Sequence, residues 1–204
     1  MTDQEHEHHD HDHDDEHHHH EHISYGDAVE RFRADKDDYY RTGLHSPIPV
    51  EQREAFEGLP YYAVDETLVF DDRRLEPYTG DEPENFEIPT SDGRLRPAHR
   101  AGVLRFEVAG EPRQLTAYTF NEGGGESLFV PFLDATSGRE TYGAGRYLDL
   151  EPEEDGSYTL DFNLAYHPSC VYDPKYSCPL TPAENRLPVK IEAGERLPAT
   201  PAAS

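Results

Sequence analysis

The stretch "GVLRFEVAGEPRQLTAYTF", Gly102–Phe120, decides the class of fold. In its first half Leu104, Phe106 and Val108 alternate with Arg105 and Glu107. A period of two puts the apolar side chains on one face of a strand and the charged ones on the other. "AGEP" then supplies turn residues, and "RQLTAYTF" resumes as a second strand.

The same grammar extends outward on both sides. "YYAV", "LVFDDRRL", "FEIPT", "SLFVPFLD", "RYLDLE", "SYTLDFN" and "LPVKIEA" read as further short strands, separated by "SDG", "NEGGGE" and "EEDG". In the Ser157–Asn163 run, Tyr158, Leu160 and Phe162 share one face, and Thr159, Asp161 and Asn163 the other. Eight or nine strands joined by tight turns predict a mainly β fold, an antiparallel β-barrel or sandwich. No βαβ alternation is present, which excludes Rossmann and TIM-barrel architectures.

Two short N-terminal α-helices are expected to pack on the sheet. Residues 24–42 have a helical period, with Asp27 as cap, Val29, Phe32 and Tyr39 or Tyr40 on one face, and Gly43 as stop. "SPIPVEQREAFEGL", Ser46–Leu59, reads as the second helix, with Pro49 in its first turn and Gly58 at its end. The expected organisation is a disordered tail over 1–22, a helical segment over 23–58, a β-rich core over 59–197 and a flexible end over 198–204.

Composition narrows the function. The 204 residues carry a net charge of -25 and only 34% hydrophobic side chains. Lys36, Lys175 and Lys190 are the only lysines. So acidic a surface suggests adaptation to high salt, where screening removes self-repulsion. It argues against nucleic acid as a partner, since phosphate binding needs clustered positive charge. No apolar run approaches the ~20 residues of a membrane span, and no signal peptide is visible, so a cytoplasmic protein with reduced thiols is expected.

The first 22 residues are a low-complexity run with ten histidines and nine acids: His6, His8, His9, His11, His13, His17, His18, His19, His20 and His22 are its imidazoles. Such a segment buries no apolar surface, and neutral imidazole binds zinc, nickel, cobalt and copper(II). Divalent metal binding by this tail is expected, with no cofactor in the core. Interleaved acids distinguish it from a plain purification tag.

The segments "FVPFLDATSGRETYGAGRYLDLE" and "LDFNLAYHPSCVYDPKYSCPLTPAENRLPVKIEAGE", with weaker support from "SPIPVEQREAFEGLPYYAVD" and "TSDG", resemble the DUF1684 family of uncharacterised proteins. The resemblance is strongest over residues 129–195 and brings no activity with it. The chemistry is therefore read from the residues. Arg139, Glu140, Tyr142 and Arg146 crowd one glycine-rich loop, and arginine forks match carboxylates and phosphates. With Asp161, Asn163 and Tyr166 they are expected to line one polar pocket for a small anionic ligand. The bland alternative is a structural corner in which Arg139 or Arg146 pairs with Glu140, Asp149 or Asp161. "GAGR" precedes a strand and so is no dinucleotide fingerprint, and "NEGGGES" lacks the Lys-Ser/Thr of a P-loop.

Three functional readings follow. The first is a binding module using that pocket. The second is an acid/base, hydrolase-like enzyme, with Asp161 as base and Tyr166 or His167 as acid. The third is a metal buffer or chaperone acting through the tail. In the resembling family asparagine usually stands where His167 does, which argues against an essential histidine. Cys170 and Cys178 leave four alternatives: a zinc site with His167, a nucleophile, a disulfide, or two thiols packed in a Pro- and Tyr-rich loop.

Overall fold

The computed structural model describes residues 23–120 and 127–198. A single α-helix, α1 (Tyr25–Thr42), precedes seven strands: β1 (Val69–Arg73), β2 (Asn85–Pro89), β3 (Leu95–Val108), β4 (Glu111–Thr119), β5 (Leu128–Phe132), β6 (Arg146–Leu150) and β7 (Tyr158–Asp161). Five strands form one antiparallel sheet in the order β2-β3-β4-β5-β6, and β1 pairs with β7 in a separate ribbon.

The β3–β4 hairpin is as the sequence predicts. Leu104 opposes Leu115 and Phe106 opposes Arg113. Ala109 and Gly110 both take positive φ (55° and 76°), as a two-residue hairpin turn between right-twisted strands requires. Leu104, Phe106 and Val108 are buried while Arg105 and Glu107 are exposed. The core then gathers Leu115, Val130, Phe132, Leu148, Leu160 and Ile191. Phe162 sits at its centre, 5.5 Å from Phe106 and 5.2 Å from Phe132 between ring centroids.

Several expectations are corrected. The second helix is absent: Ser46–Leu59 holds only a 3-10 turn over Val50–Gln52. Arg53 instead donates to the carbonyls of Ile48 and Gly43, fixing the segment as a loop at the end of α1. The cap of α1 is Ser24, whose hydroxyl accepts from the Asp27 amide. Its buried face is Val29, Arg33 and Tyr40. Phe32, expected inside, is 45% exposed, and of the alternatives Tyr39 and Tyr40 it is Tyr40 that is buried.

"YYAV" and "LPVKIEA" form no strands, although Leu187, Ile191 and Ala193 alternate into the core as a strand would. The sheets do not close into a barrel. The chain leaves β7 through a 3-10 turn at Phe162–Leu164, and Tyr166 then pairs with Tyr147 on the edge of β6. β7 is thereby prevented from following β6, and a seam stays open between them. At the opposite side Glu76, just past β1, exchanges two backbone hydrogen bonds with Val103 of β3.

Candidate functional site

Arg146 begins β6 and points inward, 1% exposed. Its guanidinium donates to the backbone carbonyls of Ile191 (2.7 Å), Glu195 (3.1 Å) and Ala193, and lies 3.6 Å from Asp134. Asp134, equally buried, accepts from Thr136, Ser137 and the Ile191 amide. The ion pair therefore binds the C-terminal segment to the core side chain to backbone. Burial is the first cause that lowers the Arg146 pKa, with Asp134 opposing it. The geometry matches neither the ligand-holding role nor the partners expected for this arginine.

Asp161 and Asn163 do come together. The Asp161 carboxylate accepts from Tyr25 Oη (2.7 Å) and from the Asn163 amide (2.8 Å), while Asn163 brackets Asp65 by its N–H and its carbonyl. This constellation pins the start of α1 to the end of β7. Burial, reinforced by Asp161, raises the Tyr25 pKa, so the phenol keeps its proton.

Tyr166 belongs to a second network. Its hydroxyl donates to Asp149, and Lys36 of α1 lies 4.8 Å from its ring centroid. Lys36 pairs with Glu195 at 2.6 Å, and Glu195 in turn accepts from the His167 amide (2.7 Å) and Tyr172 Oη (3.0 Å). His167 is 2% exposed, and its Nε2 accepts from the Tyr142 amide at 3.2 Å, which leaves the proton of the neutral ring on Nδ1. Burial, with Arg146 and Lys36, pushes its pKa down to about 3. Glu195 Oε2, 3.6 Å from Nδ1, favours the charged ring, but its charge is already engaged by Lys36. The neutral form prevails.

The remaining residues fall apart from these networks. Arg139 is exposed. Glu140 pairs with Lys190 at 2.7 Å and accepts from Tyr62. Tyr142 borders the cysteines and meets His167 only through its backbone. Both cysteines are free thiols, and the Cys170 amide donates to Cys178 Sγ at 3.3 Å. Burial pushes the Cys178 pKa up to about 11, which suits packing and not nucleophilic attack. Among the described residues no cluster of His, Cys, Asp or Glu is placed to hold a metal. The ten N-terminal histidines lie outside the described residues.

The cavity nearest Asp161 is the seam itself. It measures about 220 Å³ and is lined by Leu148, Asp149, Leu150, Glu151, Thr159, Asp161 and neighbours. A shallower cleft of about 560 Å³ shares Glu153 and Thr159 with it and adds Asp71, Asp72, Glu154 and Asp155. The groove is walled by carboxylates, with neither Arg139 nor Arg146 in it. Sequence reasoning missed Lys36, Asp134, Arg33 and the role of Glu195. Burial is what distinguishes them, and a charged residue carries no mark of burial in one sequence.

The architecture and these networks define a mainly β domain of open antiparallel sheets, held by a buried polar layer under one helix. A family model described as "Protein of unknown function (DUF1684)" matches residues 54–196, and the chain belongs to that family. A solution NMR structure of an uncharacterised protein from Haloarcula marismortui is similar, with 38% identity, TM-score 0.62, and coverage of 83% of this chain and 92% of that one. No curated protein matches. No helix among the described residues is long and apolar enough to cross a membrane.

Proposed function

We propose that the protein is a small-ligand binding module whose ligand sits in the β6–β7 seam, and whose N-terminal histidines hold divalent transition-metal ions. The observation that carries the core reading is the seam cavity. It lies between β6 and β7, edge strands of two sheets that do not pair with each other, with Leu148, Leu150 and Leu164 beside Asp149, Glu151 and Asp161. A concave site with an apolar floor and a few convergent polar groups is the usual form of a ligand pocket. At about 220 Å³ it is below the ~300–1,000 Å³ of drug-sized sites. Its walls favour a small amine or another cation, in place of the anion that the arginines suggested.

Binding is supported over catalysis by the state of the catalytic candidates. Asp161 already accepts from Tyr25 and Asn163, and the Tyr166 phenol is bound to Asp149 with its pKa raised by burial and then by that carboxylate. Titration of the 15N-labelled protein with a series of small amines and size-matched carboxylates tests the reading. Amine-dependent shifts at Leu148–Glu151 and Thr159–Asp161 are expected. Shifts caused equally by carboxylates, or confined to other residues, refute it.

A further inference from the structure

Arg33 lies in the middle of α1 and is 5% exposed. One of its nitrogens, Nη1, donates to Glu30 at 2.9 Å, and that carboxylate is largely in solvent. The other two, Nε and Nη2, are buried with no hydrogen-bond partner, and so is the hydroxyl of Tyr61. The two residues touch: the guanidinium carbon stands 4.6 Å from the Tyr61 ring centroid. Nε and Nη2 are the pair of donors on one edge of the guanidinium plane, the edge that holds a carboxylate through two parallel hydrogen bonds. Buried charged donors without acceptors are costly and rare, and they call for a missing partner.

The nearby carboxylates of the described residues are already engaged. Glu195 is held by Lys36, Tyr172 and the His167 amide. Asp37 accepts from the Leu59 amide at 2.9 Å, and Asp161 accepts from Tyr25. We infer that the free edge of Arg33 and the Tyr61 hydroxyl form a binding site for a small carboxylate monoanion, separate from the seam. A single positive charge with Glu30 and Asp37 close by suits a monoanion better than phosphate or sulfate. The planar fork selects carboxylate over chloride.

The test uses the full-length protein with sodium acetate, and with sodium chloride and sodium sulfate at matched ionic strength. The Arg33 Nε–Hε resonance and the thermal midpoint are followed together. Acetate is expected to move the Hε signal downfield and raise the midpoint saturably. Tyr61→Phe removes one hydrogen bond to a charged group, so acetate should bind about tenfold more weakly. In chloride alone that variant should be as stable as the parent, because the hydroxyl it loses has no partner. Arg33→Lys keeps the charge without the fork and should abolish the acetate response. Equal responses to acetate and chloride, an Hε signal that ignores acetate as it would with ordered water in the site, or an undiminished response in Tyr61→Phe overturns the inference. If Arg33→Lys fails to fold, the Tyr61→Phe comparison alone decides. The amine titration of the seam can fail without touching this result.

Discussion

Replacing His167 by glutamine should change how stability depends on pH. The ring is buried and neutral in the folded protein, with its pKa pushed down to about 3 by burial, Arg146 and Lys36. In the unfolded chain it returns to about 6.5. Between these values the unfolded chain binds a proton that the folded one refuses, so stability is full above pH 6.5 and is lost as pH falls. Each pH unit in that window is worth up to about 1.36 kcal/mol, and from pH 7 to pH 5 the loss due to this ring is about 2 kcal/mol. Glutamine does not titrate, and its amide oxygen can reach the place of Nε2 to accept from the Tyr142 amide. Urea unfolding of both proteins at pH 7, 6 and 5 gives the answer. The advantage of the parent over His167→Gln should shrink by about 2 kcal/mol across that range. Histidines elsewhere are common to both proteins and cancel. Parallel curves refute the reasoning, and a parent that gains on acidification means His167 charges beside Glu195.

Other expectations are as direct. Arg146→Met strips the Asp134 pair and three carbonyls of their donor and should cost about 3–5 kcal/mol in urea unfolding. Asn185→Ala should cost about 3 kcal/mol and speed hydrogen exchange at the Thr116 amide, since this side chain bridges Thr116 and Pro131 where β4 and β5 diverge. Gly145→Ala should destabilise by more than about 1 kcal/mol in thermal unfolding, because φ is +105° and a Cβ would meet the Phe132 carbonyl at 2.5 Å. Nickel binding measured by calorimetry on the full chain should weaken steeply as pH falls from 7.5 to 5.5, as the tail imidazoles protonate near pH 6.5.

The parts of the fold legible in the sequence are those where burial and backbone pairing coincide. Leu104, Phe106 and Val108 alternate, and their strand has a partner. Leu187, Ile191 and Ala193 alternate as well and are buried, yet the carbonyls of Ile191 and Ala193 are taken by the Arg146 side chain and no strand forms there. Alternation reports which side chains go inside and is silent on what the backbone bonds to. α1 shows the converse. Phe32 has the apolar side chain and Arg33 the buried position, because the surface under the helix is polar: Tyr61, Glu195 and the Asp161–Asn163 corner. At the site, Asp161 and Asn163 were placed together by strand parity, which survives as the Asp161 cap on Asn163. Arg146 sat one strand away on a glycine-rich loop, and nothing in its neighbours distinguishes a ligand clamp from a clamp on the chain itself.

That clamp also sets an order of events for the growing polypeptide. Arg146 finds its acceptors 45, 47 and 49 residues downstream. As the ribosome releases the chain, the first six strands can emerge while a guanidinium with only Asp134 beside it still stands where the interior must close. Until residue 195 clears the exit tunnel, Asp134 can balance the charge, but the guanidinium's hydrogen-bond donors lack their three carbonyl acceptors, and the interior cannot seal. Its final compaction is therefore tied to the arrival of the C-terminal segment, and a translational pause ahead of that point would hold it open to chaperones.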